Sequence, residues 1–303
     1  MPLAVALGLV AAILFAGSAS LQQHAAHQAV PRAQPAAERL RASAIVVGLW
    51  RLLGLLVHRR LWLIGWGTNL VGFGVQAVAL HFGSVALVQP VLVTQLLFAL
   101  PMAAAWQRRR PGRRDWAAAS FICGGLVVFL TVRGVVPTDT EANRSRLIWA
   151  SLAVAAGVAA IVVFCVRVSG RTRALLLAVA AGLCFAVSAA MIKLTSTDLL
   201  HRGVAATARD WPGYALAVAT LVGLLLEQGA FAGGSLPSAV AAMSITNPVA
   251  SYAIGVFAFG VAFPHGASEL AALAGAGALI SIGAVGLAHS PLVLSDADQR
   301  AYA

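Results

Sequence analysis

Lysine is almost absent from this chain: Lys193 stands alone against 20 arginines. Charge of either sign is scarce, at 10% of residues, where a soluble domain carries about a quarter. That scarcity excludes an ordinary soluble domain, which needs a charged skin. Cysteine is nearly missing too. Cys123, Cys165 and Cys184 have no CxxC spacing and no histidine near in sequence, which argues against a disulfide framework or a metal site. They read as small apolar residues within spans. No nucleotide-binding loop, zinc-protease helix or nucleophile elbow occurs, so the chain reads as a non-enzyme with no cofactor and no metal.

What is present is apolar. Hydrophobic residues make up 60% of the chain, and mean hydropathy is +0.87. The charges cluster, and about 18 or more apolar residues run between clusters, as membrane-spanning helices require. The expected fold class is therefore all-α and polytopic. Ten-residue alternating segments, the mark of a membrane barrel, are absent. The net charge of +11 does not indicate nucleic acid. Its densest run, QRRRPGRRD at Gln107–Asp115, lies between two apolar stretches and reads as a cytoplasmic anchor.

Nine spans are expected, over 2–21, 61–81, 84–106, 116–133, 147–167, 173–195, 212–232, 237–262 and 268–289. The long first loop ends in AIVVGLWRLLGLLVHRR, read as an interfacial amphipathic helix over about 36–58, with a tenth span as the alternative. The small-residue stretch AGSAS resembles a signal cleavage site, but no basic residue precedes the apolar run. Alternate loops divide the lysines and arginines fifteen to six, which puts the N-terminus outside and the C-terminus inside.

The chain also matches itself. ILFAGSASLQQ lies over GLCFAVSAAMIK, pairing Phe15 with Phe185, Ser18 with Ser188 and Gln23 with Lys193. GVQAVALHFGSVALVQPVLVTQ lies over LEQGAFAGGSLPSAVAAMSITN, pairing Gln76 with Gln228 and Gln95 with Asn247. The two halves, 1–167 with five spans and 168–290 with four, then run in opposite directions, leaving 291–303 as a cytoplasmic tail. Inverted halves are a common transporter architecture, with the substrate at their interface.

Within this pattern the chain resembles the drug/metabolite transporter (EamA-like) superfamily. Two stretches, GLVAAILFAGSASLQQ and ALHFGSVALVQPVLVTQLLFAL, resemble its NIPA-type magnesium transporter branch. A repeat-closing glycine pattern is visible in Gly277, Ile280 and Gly283. The resemblance implies a secondary transporter of the cytoplasmic membrane. Where that branch carries a Gly-Glu pair, this chain has Gly72 and Phe73, and its second acidic position falls near Arg108. Magnesium favours carboxylate oxygens, so a divalent cation stands as the alternative substrate. A non-transporting scaffold with the same fold is the second alternative.

Polar residues inside spans are the candidate pathway. Glu227 leads, because a carboxylate in lipid must be paired or protonated. Gln228, Asn69, Gln76, Gln89, Gln95 and Asn247 add neutral donors and acceptors, and Pro90 and Pro248 break helices and free carbonyls. Lys193, near the end of its span, reads as a residue that snorkels to the outer surface or as a charge at the mouth. His24 and His27, three apart, share a helical face. The expected partners are a small-molecule or ion substrate and the lipid bilayer, with a homodimer left open and nucleic acid excluded.

Overall fold

The computed structural model describes residues 2–33, 42–82, 88, 91–106, 110–132, 143–260 and 266–288. Among them every regular element is a helix and no strand occurs. The helices are α1 (Pro2–Ala33), α2 (Ala42–Leu56), α3 (Arg60–Phe82), α4 (Gln95–Trp106), α5 (Arg113–Thr131), α6 (Arg144–Phe164), α7 (Gly170–Arg202), α8 (Val204–Ala208), α9 (Trp211–Gly233), α10 (Leu236–Phe259) and α11 (Ala267–Ala288).

Each expected span overlaps a described helix, the one at 84–106 from residue 91 onward, and the described residues do not confirm the count of nine crossings. Six of the described helices are long and apolar enough to cross a membrane: Pro2–Gln28, Arg144–Phe164, Gly170–Leu199, Trp211–Gly233, Leu236–Phe259 and Ala267–Leu287. α3 (Arg60–Phe82) and α5 (Arg113–Thr131) cover most of the expected spans at 61–81 and 116–133. The stretch Val91–Trp106 is broken at Thr94, which drops out of the helix. α2 has 15 residues, about 22 Å of helix, short of a hydrocarbon core of about 30 Å. The proposed tail at 291–303 and the candidates Gln89 and Pro90 lie outside the described residues.

Local sequence sets the helix ends. Asn143 accepts from the Arg146 amide at 3.0 Å and starts α6. Asp210 accepts from the Trp211 amide at 2.9 Å, with Pro212 in the first turn of α9. Gly260, at φ 64°, closes α10 in the left-handed region that favours glycine.

The surface of the bundle is apolar. Leu63, Ile64, Leu70, Val71, Trp149, Leu152, Val218, Ile282 and Val285 all face outward, more than half exposed. Water would penalise so broad an apolar belt, whereas lipid accepts it. The chain is a multi-pass α-helical membrane protein. α7 lies at its centre, with 56% of its apolar window buried, and α6 at its edge, with 11%.

Packing follows glycine. α3 runs antiparallel to α1, and α9 antiparallel to α7, each through a close glycine. A Cβ at Gly72 would stand 2.9 Å from the Phe15 ring, and one at Gly223 would stand 2.9 Å from the Phe185 ring. α5 and α11 meet reciprocally. A Cβ on Gly125 would meet Ala276 O and Ile280 Cγ1 at 2.8 Å, and one on Gly283 would meet Ala118 O at 2.5 Å and Ile122 Cγ1 at 2.7 Å. Ala118, Ile122 and Gly125 thus face Gly283, Ile280 and Ala276 in antiparallel order, so each helix presents the same residue set to the other.

Candidate functional site

The first part of the site is a buried seam at the end of the bundle that carries Gly234. The C-terminal half of α1 turns Ser18, Ser20, Gln22 and Gln23 into the protein, all buried. Gln22 Nε2 donates to Ser18 Oγ at 2.8 Å, and its Oε1 accepts from Gln228 Nε2 at 2.8 Å. Trp62 Nε1 of α3 donates to Gln228 Oε1 at 3.0 Å. Gln228 therefore ties α1, α3 and α9 together. Gln23 Nε2 donates to the Gly234 carbonyl at 2.8 Å, and His27 Nε2 lies 3.1 Å from the same oxygen. Trp106 Nε1 donates to Ser20 Oγ at 2.7 Å and its ring stacks on His24 at 4.0 Å. His24 and His27 thus engage different partners instead of converging on one point. Membrane hydrogen bonds of this kind contribute about 0.6 kcal/mol each.

The second part is a set of buried and half-buried polar groups on α4, α7, α9 and α10. Glu227 is partly buried, and no hydrogen bond or ion pair holds its carboxylate among the described residues. Thr220, seven residues earlier and so on the same face of α9, donates to Ser188 Oγ at 3.1 Å. Gln95 Nε2 donates to Ser244 Oγ at 3.2 Å, joining α4 to α10. Ser251 Oγ donates to Asn247 Oδ1 at 3.2 Å, so Ser244, Asn247 and Ser251 line one face of α10. Pro248 inside α10 leaves the Ser244 carbonyl without its helical donor. Cys123 Sγ lies 3.5 Å from Val93 O, just before the break at Thr94, so one apolar-looking cysteine serves as a weak donor to a broken helix. Asn69 and Gln76 are half-buried on the face of α3 that carries Trp62.

The third part is a charge cluster at the opposite end, which sequence reasoning did not single out. Arg144 of α6 donates to both oxygens of the buried Asp198 of α7 and, at 2.7 Å, to Asp210. Arg202 adds a 2.7 Å bond to Asp210 and lies 3.6 Å from Asp198. Two guanidiniums and two carboxylates cancel, tying α6, α7 and α9 together. Hydrogen bonds from Arg144 and then Arg202 hold the Asp210 carboxyl down at about 2. The cap at Asp210 was legible, since an acid precedes Trp-Pro at a helix start. Its sharing of Arg144 with Asp198 was not, because Asp198 and Arg144 are 12 and 66 positions away.

Lys193 lies in α7. α7 continues past it to Arg202, so the helix does not end there. The side chain is half-buried, with Nζ 4.9 Å from the ring centroid of Phe259.

Comparison with known proteins adds one relative. An uncharacterized protein of Corynebacterium glutamicum is 29% identical over 205 residues, which take in 67% of this chain and 70% of the relative. No family model matches the chain. No solved structure matches it.

Proposed function

We propose that this chain is a secondary transporter built as two inverted halves of the drug/metabolite transporter type. It moves a small solute through the polar faces of α9 and α10, with Glu227 as the group that changes charge. The reading is carried by the reciprocal α5–α11 contact. Ala118, Ile122 and Gly125 recur as Ala276, Ile280 and Gly283 at one constant offset, and the two sets meet antiparallel. Two copies of one unit related by an in-plane twofold axis give that arrangement. The Phe15–Gly72 and Phe185–Gly223 contacts add support through the phenylalanines alone, which match at an offset of 170, while at the offset of 152 Gly72 falls on Leu224 and Gly223 on Val71. The self-match supports a first half at 1–167 and a second at 168–290. The arginine distribution supports the cytoplasmic membrane, with the Gly234 end inside.

Glu227 is central because its carboxylate sits within a span, on the face that also carries Thr220, while its neighbour Gln228 is spent on structure. The test is Glu227→Gln in membrane vesicles, screened for uptake of metals, protons and small metabolites. The substitution preserves size and hydrogen bonding but removes the charge. Loss of uptake, or loss of its pH dependence, with an unchanged melting temperature is the expected result. Wild-type uptake with an unchanged pH profile overturns the role of Glu227.

A further inference from the structure

α1 and α7 hold the same place in the two halves but are used differently. The offset of 170 that matches Phe15 to Phe185 also carries Gln23 to Lys193 and His27 to Thr197. Gln23 and His27 are one helical turn apart, and both sit against one acceptor, the Gly234 carbonyl. That carbonyl belongs to the C-terminal end of α9, where the last carbonyls lack helical donors. Lys193 and Thr197 are likewise two donors one turn apart. The second offset, 152, carries Gln228 back to Gln76 and Gly234 back to Phe82, the last residue of α3. The counterpart of the α9 acceptor is therefore the C-terminal end of α3. α1 packs on α9, but α7 makes no comparable contact with α3 among the described residues. Thr197 donates instead to its own helix, at Lys193 O, 2.9 Å away, and Lys193 lies over Phe259.

The geometry points to Lys193 and Thr197 as a latch that closes on the C-terminal end of α3 in a second state of the protein, as Gln23 and His27 close on the end of α9 in this one. The inference rests on the inverted-repeat reading above and deepens it. The α1–α9 seam opens as the α7–α3 seam forms, so one end of the pathway is sealed at a time. The chemistry suits a lysine. A cation is favoured at a helix C-terminus, where the aligned peptide dipoles leave negative charge. Its flexible stem lets a compact ammonium leave the Phe259 ring and reach a carbonyl, whereas the planar fork of an arginine demands a fixed geometry.

The test uses the full chain in lipid vesicles, with Cys123, Cys165 and Cys184 replaced by alanine. One variant carries Gln22→Cys with Gln228→Cys, reporting the seam seen here. The other carries Gln76→Cys with Ile192→Cys, the matching positions at the two offsets. A short bifunctional thiol reagent is expected to link both pairs. Failure of the 76/192 pair to link where the 22/228 pair does overturns the latch. As a second measurement, the sole lysine is labelled with a membrane-impermeant amine reagent. Labelling of Lys193 is expected to fall roughly tenfold or more in the 76/192-linked protein relative to the 22/228-linked protein, because linking selects one state. Equal labelling in the two overturns the proposal. Linking requires no transported solute, so the two readings fail separately. Uptake without the 76/192 link refutes the latch alone. Both links in a chain that carries none of the screened solutes support the latch and refute the transport reading.

Discussion

Gly283→Ala gives the sharpest test of the packing. Its new Cβ would lie 2.5 Å from Ala118 O and 2.9 Å from Ile122 N, both backbone atoms of α5. Ordinary contact begins at 3.4 Å, so α11 must retreat by about 0.9 Å. A gap of that size forfeits about a quarter to a half of each dispersion contact along the seam. Overpacking of this kind costs about 1–3 kcal/mol. Gly125→Ala meets Ala276 O at 2.8 Å and should cost a similar amount. The controls are their neighbours in the same two helices. A Cβ at Gly124 or Gly277 meets nothing within 4 Å. Alanine there should be neutral or stabilise by up to about 1 kcal/mol, because glycine is the poorer helix former. Thermal unfolding in detergent reads the difference. Gly283→Ala melting at or above Gly277→Ala would refute the α5–α11 contact and, with it, the main support for two matched halves.

Three further outcomes follow from particular side chains. The Asp210 carboxyl is held at about 2 by Arg144 and Arg202, below the ordinary carboxylate range. A depressed carboxyl adds stability that is complete above about pH 4 and is lost as pH falls towards 2. In melts across that window, wild type should lose stability more steeply than Asp210→Asn, and parallel curves would contradict the pairing. Trp62→Phe removes the donor to Gln228 Oε1 and should cost about 1 kcal/mol, an effect that should largely disappear in a Gln228→Leu background. A phosphatase fused after Ala303 should be inactive if that end is cytoplasmic, as the arginine distribution predicts, and activity there would reverse the topology.

The helices were legible because the membrane makes a demand that sequence states directly. Every backbone polar group in lipid must be satisfied within the segment, so apolar length reads as helix. Arg60–Phe82 and Trp211–Gly233 lie within about a residue or two of the expected 61–81 and 212–232. α7 outran its expected end because Thr195–Arg202 is polar, and helix there is bound by tertiary ion pairs to Arg144 that hydropathy does not register. The internal match was also legible as letters, Phe15 with Phe185 and Gln76 with Gln228.

Sequence alone determined that this is an apolar, helical, membrane-spanning chain with a weak self-resemblance and one lysine. Only the tertiary structure decided which polar groups serve as clamps and which stay available. Gln228 and Glu227 are neighbours in sequence, yet one is consumed by Gln22 and Trp62 and the other is not. The reason is angular. Successive residues on a helix point about 100° apart, so what each one meets depends on how α1, α3 and α9 are placed around it. That placement is set by glycines such as Gly65, Gly72 and Gly223, whose effect appears only when a second helix lies against them.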